Sequence, residues 1–367
     1  MTSQPDMAHP LSPAAAAAGR TPLEIAAQGV FWVGVERQTR PSGEIAAGQM
    51  FVQYQIPVQQ RCPWPLVLVH GGGGQGTDYL GTPDGRPGWA ELFLRMGYAV
   101  YVVDRPGHGR APYHPDALGP MTPLPTYPFI EGLFTAPERA GAYPQASLHD
   151  QWPQAVPPAG GTALDQMLAG MGPSIGDLAA THGHMQRCGA ALLDLIGPSI
   201  LLTHSAGGPF GWVVTDARPG LVKAVVAVEP IGPPFMDRPG GGLDWGLTAI
   251  PLSFDPPAAD PSELARELRP APGPGQSACL VQAEPARRLP NLAGVPMVVV
   301  TGEASWMAQD NHGAVDFLRQ AGCAAEHLRL EHEGVRGNGH MMMLEANSDV
   351  VAAVIDRWIA SRVGRGD

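Results

Sequence analysis

The stretch ILLTHSAGGPFG, residues 200–211, is the most informative part of the chain. An apolar run ends at Thr203, Ser205 follows two residues later, and small residues open the next segment. This pattern predicts a strand, a sharp turn and a helix that together expose the serine hydroxyl, as in a nucleophile elbow. The usual spacing is G-x-S-x-G, and Thr203 stands where its first glycine is expected. The alternative is a tight strand–helix turn that carries an incidental serine.

A candidate base for this serine lies near the end of the chain, in HEGVRGNGHMMMLE, residues 332–345. His340 follows the last predicted strand and stands among glycines, in a loop that could direct an imidazole over the edge of a sheet. The order expected after an elbow is serine, then an acid, then histidine, and His340 satisfies it. The alternative is a solvated or structural histidine. His182 and His184 do not share a helix face, which argues against a metal site there.

Two glutamates follow strands in the right order to complete such a set. Glu229 closes VKAVVAVE, the strand after the elbow helix, and Glu303 follows VVVTG one strand later. Asp310 is a further candidate in that second loop. The acid must accept the Nδ1–H of the histidine, fix its tautomer and stabilise the imidazolium. Spacing alone does not separate Glu229 from Glu303.

The run LVLVHGGGGQG, residues 66–76, has two interpretations. Its glycine spacing, G-x-G-x-x-G after an apolar strand, resembles a dinucleotide-binding turn. That motif also requires an acid about 20 residues further on. The acid that ends the next predicted strand is Asp104, which lies much further along the chain. A nucleotide-binding oxidoreductase is therefore the weaker interpretation.

The same glycines can instead form half of an oxyanion hole. One donor is expected to be the N–H of Ala206, directly after the serine. The second is expected from the loop after the strand at 65–70, hence Gly71 or Gly72, with Gly72 slightly favoured. Glycine suits this position because the backbone must approach a substrate carbonyl closely.

The rest of the chain predicts an α/β fold with a mostly parallel central sheet and helices on both faces. GVFWVGVE and GQMFVQYQIP indicate an N-terminal antiparallel hairpin, joined through RQTRPSGEIAAG. From residue 65 on, strands and helices alternate; strands are expected at 65–70, 98–104, 199–203, 222–230, 295–303 and 325–331, and helices at 86–97, 174–196, from 205, at 310–321 and at 347–361.

Two long stretches interrupt this alternation and are rich in proline and glycine, 111–172 and 231–293. Connections of this length inside a compact domain are usually lids or binding loops. We therefore expect an irregular segment at 1–28, followed by a single domain at 29–367 with two lid insertions. The aromatic residues expected to line a pocket, together with His204, are Trp152, Phe210, Trp245 and Trp306.

Composition narrows the choice of partners. The formal charge of −11 argues against nucleic acid and anionic membranes, and no apolar run approaches the length of a membrane span. The start of the chain lacks the basic and apolar regions of a leader, which indicates a cytoplasmic protein, or an exported one if a leader has been removed. The four cysteines are far apart, which predicts reduced thiols and gives no zinc pattern.

Together, VLVHGGGG, YVVDRPGHGRA, THSAGG and GNGHMMMLE resemble the α/β-hydrolases. More narrowly, they are similar to a group of atypical bacterial carboxylesterases, sometimes called seven-thirteen-type, that lack the first glycine of the pentapeptide. The resemblance implies that Glu229 is the acid, that the protein is a homodimer, and that it takes esters of bulky or cyclic alcohols, or lactones. Typical members are exported and carry adjacent cysteines where this chain has His70 and Gly71.

These observations favour a serine hydrolase for a small-molecule ester or lactone, which needs no metal or organic cofactor. An amidase, a thioesterase or a carbon–carbon hydrolase could use the same residues. An alternative hypothesis is that the protein is not an enzyme and uses the α/β-hydrolase fold only to bind a ligand.

Overall fold

The computed structural model describes residues 19–238 and 240–364, together with residues 11, 12 and 17. Its strands are β1 (Ile25–Val33), β2 (Glu36–Arg40), β3 (Gly43–Ala47), β4 (Met50–Pro57), β5 (Leu66–Val69), β6 (Val100–Asp104), β7 (Ser199–His204), β8 (Val222–Val228), β9 (Arg266–Arg269), β10 (Cys279–Gln282), β11 (Met297–Thr301) and β12 (Ala325–Arg329).

Eight of these strands form one sheet in the order β1-β4-β6-β5-β7-β8-β11-β12. The pairs β1–β4 and β4–β6 are antiparallel, and every later pair in this order is parallel. The central strands are mostly apolar and buried because both faces of the sheet are covered. The expected mostly parallel sheet is confirmed.

The helices are α1 (Trp89–Arg95), α2 (Pro115–Leu118), α3 (Tyr127–Ile130), α4 (Pro137–Ala140), α5 (Ala163–Ala169), α6 (Leu178–Ile196), α7 (Gly208–Ala217), α8 (Pro290–Ala293), α9 (Asn311–Gln320) and α10 (Ser348–Val363). The longest, α6, begins where the Asp177 side chain accepts a hydrogen bond from the N–H of Ala180 (3.0 Å). It ends at Gly197, whose φ of +81° suits glycine. Helices α6, α7 and α9 cover one face of the sheet, and helices α1 and α10 cover the other.

The core is divided by the sheet into two apolar clusters. Along β7, Leu201 belongs to the cluster under α6, α7 and α9, whereas Ile200 and Leu202 belong to the cluster under α1 and α10. This alternation follows from the two-residue period of a strand, which sends successive side chains to opposite faces.

The N-terminal region differs from the expectation in two details. Strand β1 begins at Ile25, inside the segment 1–28 that was expected to be irregular, and much of that segment lies outside the described residues. The connection between β1 and β4 also forms a hairpin of its own, β2–β3. The sequence RQTRPSGEIAAG is predicted to supply turn residues, but it forms most of two short strands, of which β2 is polar throughout and both are largely exposed or only partly buried.

The two insertions lie between strands of the parallel sheet. Residues 111–172 contain the short helices α2 to α5, and residues 231–293 contain the β9–β10 hairpin and α8. Residues from both insertions line one cleft above the end of β7. The structure therefore places both insertions where they contact the candidate site.

Candidate active site

Ser205 lies at a sharp turn between β7 and α7. A single turn of 3-10 helix spans Ser205–Gly207, and the φ of Ser205 is +50°, which residues with a side chain rarely adopt. A Cβ on Gly207 would lie 2.3 Å from the carbonyl oxygen of His70, so a side chain has no room there. The turn thus holds the serine in a strained conformation between closely packed elements.

The structure also accommodates Thr203 in place of the missing glycine. Thr203 is buried, and helix α7 passes above it at Gly211, where an added Cβ would lie 3.8 Å from the threonine side chain. The same Cβ would lie only 2.8 Å from Val225. Gly211 therefore lets the helix approach the sheet that closely while leaving room for the threonine.

His340 and Glu229 are in direct contact. The Nδ1 of His340 lies 2.7 Å from a carboxylate oxygen of Glu229, and both side chains are buried. Glu229 follows β8 and also accepts hydrogen bonds from the Gly302 N–H (2.7 Å) and the Ser305 hydroxyl. Glu303 instead forms an ion pair with Arg336 (3.2 Å). The structure brings Glu229 to the imidazole and places Glu303 elsewhere.

Burial dominates the electrostatics of this pair. It lowers the pKa of His340 to about 3 and so favours a neutral imidazole. Burial also raises the pKa of Glu229 to about 8, although the hydrogen bonds from Ser305 and Gly302 oppose that shift. Asp310, the third candidate acid, has a pKa raised to about 7 by burial and, to a lesser extent, by the charge of Glu229. A neutral imidazole is the form that can accept a proton.

Aromatic rings fix the orientation of His340. Phe134 stacks on the imidazole at a centroid distance of 5.2 Å, and Trp306 lies 5.4 Å away. His204 is 4.6 Å from it, and its Nε2 lies 3.0 Å from the His340 carbonyl oxygen. The pKa of His204 lies well below its usual value because of burial, so its ring is neutral and donates that hydrogen bond. His204 therefore supports the loop that carries His340.

A second buried carboxylate holds the same loop. Glu345 accepts hydrogen bonds from the Gly339 N–H (2.9 Å) and the Asn338 side chain (2.7 Å). Its other neighbour is the Nε2 of His149 at 3.0 Å, which belongs to the first insertion. These contacts join the first insertion to the loop around His340.

The glycine loop after β5 lies against the serine turn. Gly71 is buried, whereas Gly72 is exposed and lines the cleft with Ser205 and Ala206. An added Cβ on Gly72 would lie 3.3 Å from the Cβ of Ala206, so the glycine loop packs closely against the serine turn. The geometry places Gly72 and Ala206 on the side of the serine that faces the cleft.

His70 and Arg105 hold this glycine loop from behind. The Arg105 N–H donates to Nε2 of His70 (3.0 Å), so the other ring nitrogen, Nδ1, donates to the Gly71 carbonyl (2.8 Å). The Arg105 side chain donates to the same carbonyl (2.6 Å). Burial keeps the pKa of His70 well below its usual value, which preserves this neutral tautomer.

Asp104 is engaged within the protein. One of its oxygens accepts from the Gly76 N–H (2.5 Å), and the other accepts from the backbone and side-chain nitrogens of Arg110 (2.7 Å each). The acid that a nucleotide site would need is thus buried and paired. Among the described residues, no group of three or more His, Cys, Asp or Glu side chains could hold a metal ion.

Two cavities meet at Ser205. An apolar cleft of about 620 Å³ opens on one side, and a chamber of about 20 Å³ lies beneath His340 on the other. The cleft is lined by residues of both insertions, including Pro123, Leu124, Phe129, Ile130, Leu133, Phe134, Ile231 and Met236, and also by Trp306, which follows β11.

Three aromatic residues predicted for the pocket lie elsewhere. Phe210 packs in the core between α7 and α6, where a Cβ added to Gly189 would lie 2.7 Å from its ring. Trp245 is buried against Phe254 at a centroid distance of 6.4 Å. Trp152 lines a separate cavity of about 280 Å³ within the first insertion. Trp306 and His204 do lie beside His340, so two of the five predicted pocket residues are at the site.

Sequence reasoning missed Phe134, which lines the chamber. Met167 and Met171 also line it; they belong to GGTALDQMLAGMGPS, residues 160–174, whose Met and Leu side chains are predicted either to line a pocket or to pack on one another at the surface. They come from the first insertion, where weak periodicity gives no signal for which side chain faces inward. Asp78 was also missed, although it lines the chamber and burial raises its pKa to about 7.

A mostly parallel sheet with a strained serine between strand and helix, and a buried His–acid pair beside it, defines the α/β-hydrolase class. Residues 65–262 match the family described as alpha/beta hydrolase fold. The chain belongs to that family.

Two similar proteins agree with this assignment. A protein named probable secreted lipase phiG, from Fungal sp. (strain ATCC 74256), is 38% identical over 314 residues, which cover 84% of this chain and 85% of that protein. A solved structure described as a novel bacterial esterase has a TM-score of 0.61 at 23% identity and covers 94% of this chain and 98% of its own. The second likeness concerns the fold. No helix among the described residues is long and apolar enough to cross a membrane.

Proposed function

We propose that this protein is a serine hydrolase that cleaves a carboxylic ester or lactone of a bulky or cyclic apolar substrate. The observation that supports this most strongly is the contact between buried Glu229 and His340, because His340 lines the same cavity as Ser205. The relative named a lipase supports ester chemistry. The large apolar cleft supports a bulky apolar substrate.

In the proposed mechanism, Ser205 Oγ attacks the ester carbonyl carbon while His340 Nε2 takes its proton. The Gly72 and Ala206 N–H groups stabilise the oxyanion, and removing one such donor typically costs 10²–10³ in rate. The alcohol leaves with the proton from Nε2, and an acyl-enzyme remains. A water molecule activated by His340 then releases the acid. Glu229 holds the tautomer and stabilises the imidazolium.

The test is hydrolysis of p-nitrophenyl esters by the wild type and by Ser205→Ala. We expect the wild type to turn over and the variant to fall to the background rate. Labelling with a fluorophosphonate probe, followed by mass spectrometry of the labelled peptide, should identify Ser205. Equal rates for the two proteins, or a wild type that the probe does not label, would contradict the proposal and favour a non-catalytic binding protein.

The same residues could cleave an amide, a thioester or a carbon–carbon bond. We favour ester cleavage because one similar protein is named a lipase and the similar solved structure is described as an esterase. A cytoplasmic location and a homodimer remain predictions, and the relative named as secreted makes export the alternative to test. Sedimentation of the purified protein measures the oligomeric state.

A further inference from the structure

The two cavities that meet at Ser205 differ strongly in size. The cleft measures about 620 Å³ and the chamber about 20 Å³, and Ser205 and Gly72 line both. In this measure a cavity needs about 10–15 Å³ to hold one water molecule. The chamber therefore admits a group of one or two heavy atoms, whereas the cleft admits a ring system. A substrate bound at Ser205 has one small end and one bulky end.

The position of His340 indicates which end is small. Its Nδ1 is engaged by Glu229, so Nε2 is the nitrogen that can transfer a proton. Of the described residues, His340 and Met341 line the chamber and are not part of the lining of the cleft. The leaving oxygen must take its proton from Nε2, so the alkoxy group has to occupy the chamber.

The wall of the chamber limits the alkoxy group further. Met167 and Asp78 lie between the chamber and a third cavity of about 370 Å³, because both line the two cavities. Asp78 places a carboxyl group in that wall. An alkyl chain packed against it would bind less favourably, because it would cut the carboxyl group off from water. Met167 is buried and is the apolar side chain that closes the chamber on this side.

We propose that the preferred substrates are esters of bulky apolar acids with very small alcohols, methyl esters above all. This inference rests on the proposed function. It places the bulk on the acyl side, opposite to the side that the family resemblance implies. The acyl group lies in the cleft and the methoxy group in the chamber.

The reaction is balanced without a co-reactant other than water. Ser205 Oγ bonds to the carbonyl carbon, and its proton moves to Nε2. The bond from that carbon to the methoxy oxygen breaks, and the oxygen leaves as methanol with the proton from Nε2. One water molecule then fits the vacated chamber, gives a proton to Nε2 and bonds to the acyl carbon, and Oγ departs with that proton.

Two isomeric esters test the assignment directly. Methyl 2-naphthylacetate and 2-naphthylmethyl acetate contain the same atoms, and both release an unactivated primary alcohol, but the bulk lies on opposite sides of the ester. We expect kcat/KM to be at least about tenfold higher for the methyl ester, since one misplaced methylene is worth roughly tenfold or more. Ser205→Ala serves as the blank for both.

The outcomes separate the inference from the function on which it rests. Equal or reversed preference, or turnover of p-nitrophenyl acetate with neither isomer cleaved, would overturn the substrate assignment and leave the hydrolase proposal intact. An enzyme that cleaves no ester and does not react with the fluorophosphonate would overturn both.

Enlarging the chamber provides a second test. Met167→Ala should join the chamber to the cavity behind it and raise kcat/KM for propyl and butyl 2-naphthylacetate relative to the methyl ester by about tenfold. Leu168→Ala is the matched control, because it shortens the next residue of the same helix, which lines neither cavity. An unchanged alkyl preference in a folded Met167→Ala protein would contradict the inference.

Discussion

Glu229 accepts hydrogen bonds from the Gly302 N–H, the Ser305 hydroxyl and the Nδ1 of His340, and its side chain is fully buried. Its φ of +46° lies in the left-handed region, so the backbone is strained where this side chain turns toward His340. At the scale of single residues, the proposed catalytic set thus depends on Glu229, whose position is fixed by the hydrogen bonds that Gly302 and Ser305 donate to it.

Replacing Glu229 with glutamine should collapse the proposed activity. The amide can present an N–H to Nδ1 in place of an acceptor, which favours the wrong tautomer of His340. We expect kcat on p-nitrophenyl esters to fall by about 10⁴ in Glu229→Gln, with little change in KM.

Glu303→Gln is the control for this change. Its partner Arg336 is mostly exposed, and a pair with a solvated partner is worth about 1 kcal/mol or less, so kcat should change by less than about fivefold. A collapse of kcat in Glu303→Gln alone would show that the acid has been assigned to the wrong glutamate.

Glu345 allows a second prediction at this scale. In Glu345→Ala, the Gly339 N–H and the Asn338 amide lose a buried acceptor, and each unsatisfied group costs about 1–3 kcal/mol. We expect the free energy of unfolding in urea to fall by at least about 2 kcal/mol. The kcat should fall too, because Gly339 precedes His340. Glu44→Ala, which removes an exposed ion pair with Arg37, should cost less than about 1 kcal/mol.

At the scale of elements, the turn between β7 and α7 is packed so closely that it leaves no room for a side chain at Gly207. Gly207 has the backbone of His70 within 2.3 Å of where a Cβ would lie, so Gly207→Ala must push the glycine loop and the helix apart. We expect a loss of about 1–3 kcal/mol in unfolding free energy and a fall in activity.

Gly183→Ala is the matched substitution in helix α6, where nothing lies within 4 Å of the added Cβ. It should stabilise the protein by up to about 1 kcal/mol, since alanine is the better helix former. If urea unfolding showed the same change for both variants, close packing at the elbow would not be the reason for Gly207.

The elements also show which parts of the fold a sequence can predict. β5, β7, β8 and β11 were predicted because a strand buried on both faces is a continuous apolar run. The hairpin β2–β3 was missed because β2 is polar throughout and neither short strand contains a continuous apolar run of strand length. Ser205, His340 and the two acids could be singled out from the sequence because each follows a predicted strand, and parallel strands bring such positions to one edge of the sheet.

The choice between Glu229 and Glu303 could not be made from spacing, since both follow adjacent strands. The structure separates them by their partners, since Glu229 contacts His340 whereas Glu303 pairs with Arg336. The pocket was harder to predict because the insertions follow no regular period. Phe210 was expected at the pocket, but its helical position points into the core.

For the whole molecule, buried titratable groups predict acid sensitivity. Burial lowers the pKa of six buried histidines, namely His70, His108, His182, His204, His312 and His340. The unfolded chain binds protons at these residues below about pH 6.5, whereas the folded protein does not, so each lowers stability as the pH falls.

Buried carboxyl groups act in the opposite direction, but fewer of them are strongly shifted. Burial raises the pKa of Asp78 and Asp310 to about 7 and that of Glu229 to about 8, so these groups favour the folded state as the pH falls toward 4. Each group contributes up to about 1.4 kcal/mol per pH unit, and the histidines outnumber the carboxyls. We therefore expect Tm to fall between pH 6.5 and pH 4.5, as measured by calorimetry. A Tm that rises over this interval would show that the carboxyls dominate.

The contact between His149 and Glu345 has a consequence for how such an enzyme could be re-engineered. The first insertion forms much of the cleft, so libraries that shuffle or shorten it are the natural route to new selectivity. The segment also carries His149, which reaches the loop of the proposed base. Variants that keep the contact between His149 and Glu345 should change substrate selectivity. Variants that lose this contact should lower the turnover rate for every substrate. Selection schemes can fix residue 149 and randomise the positions around the cleft.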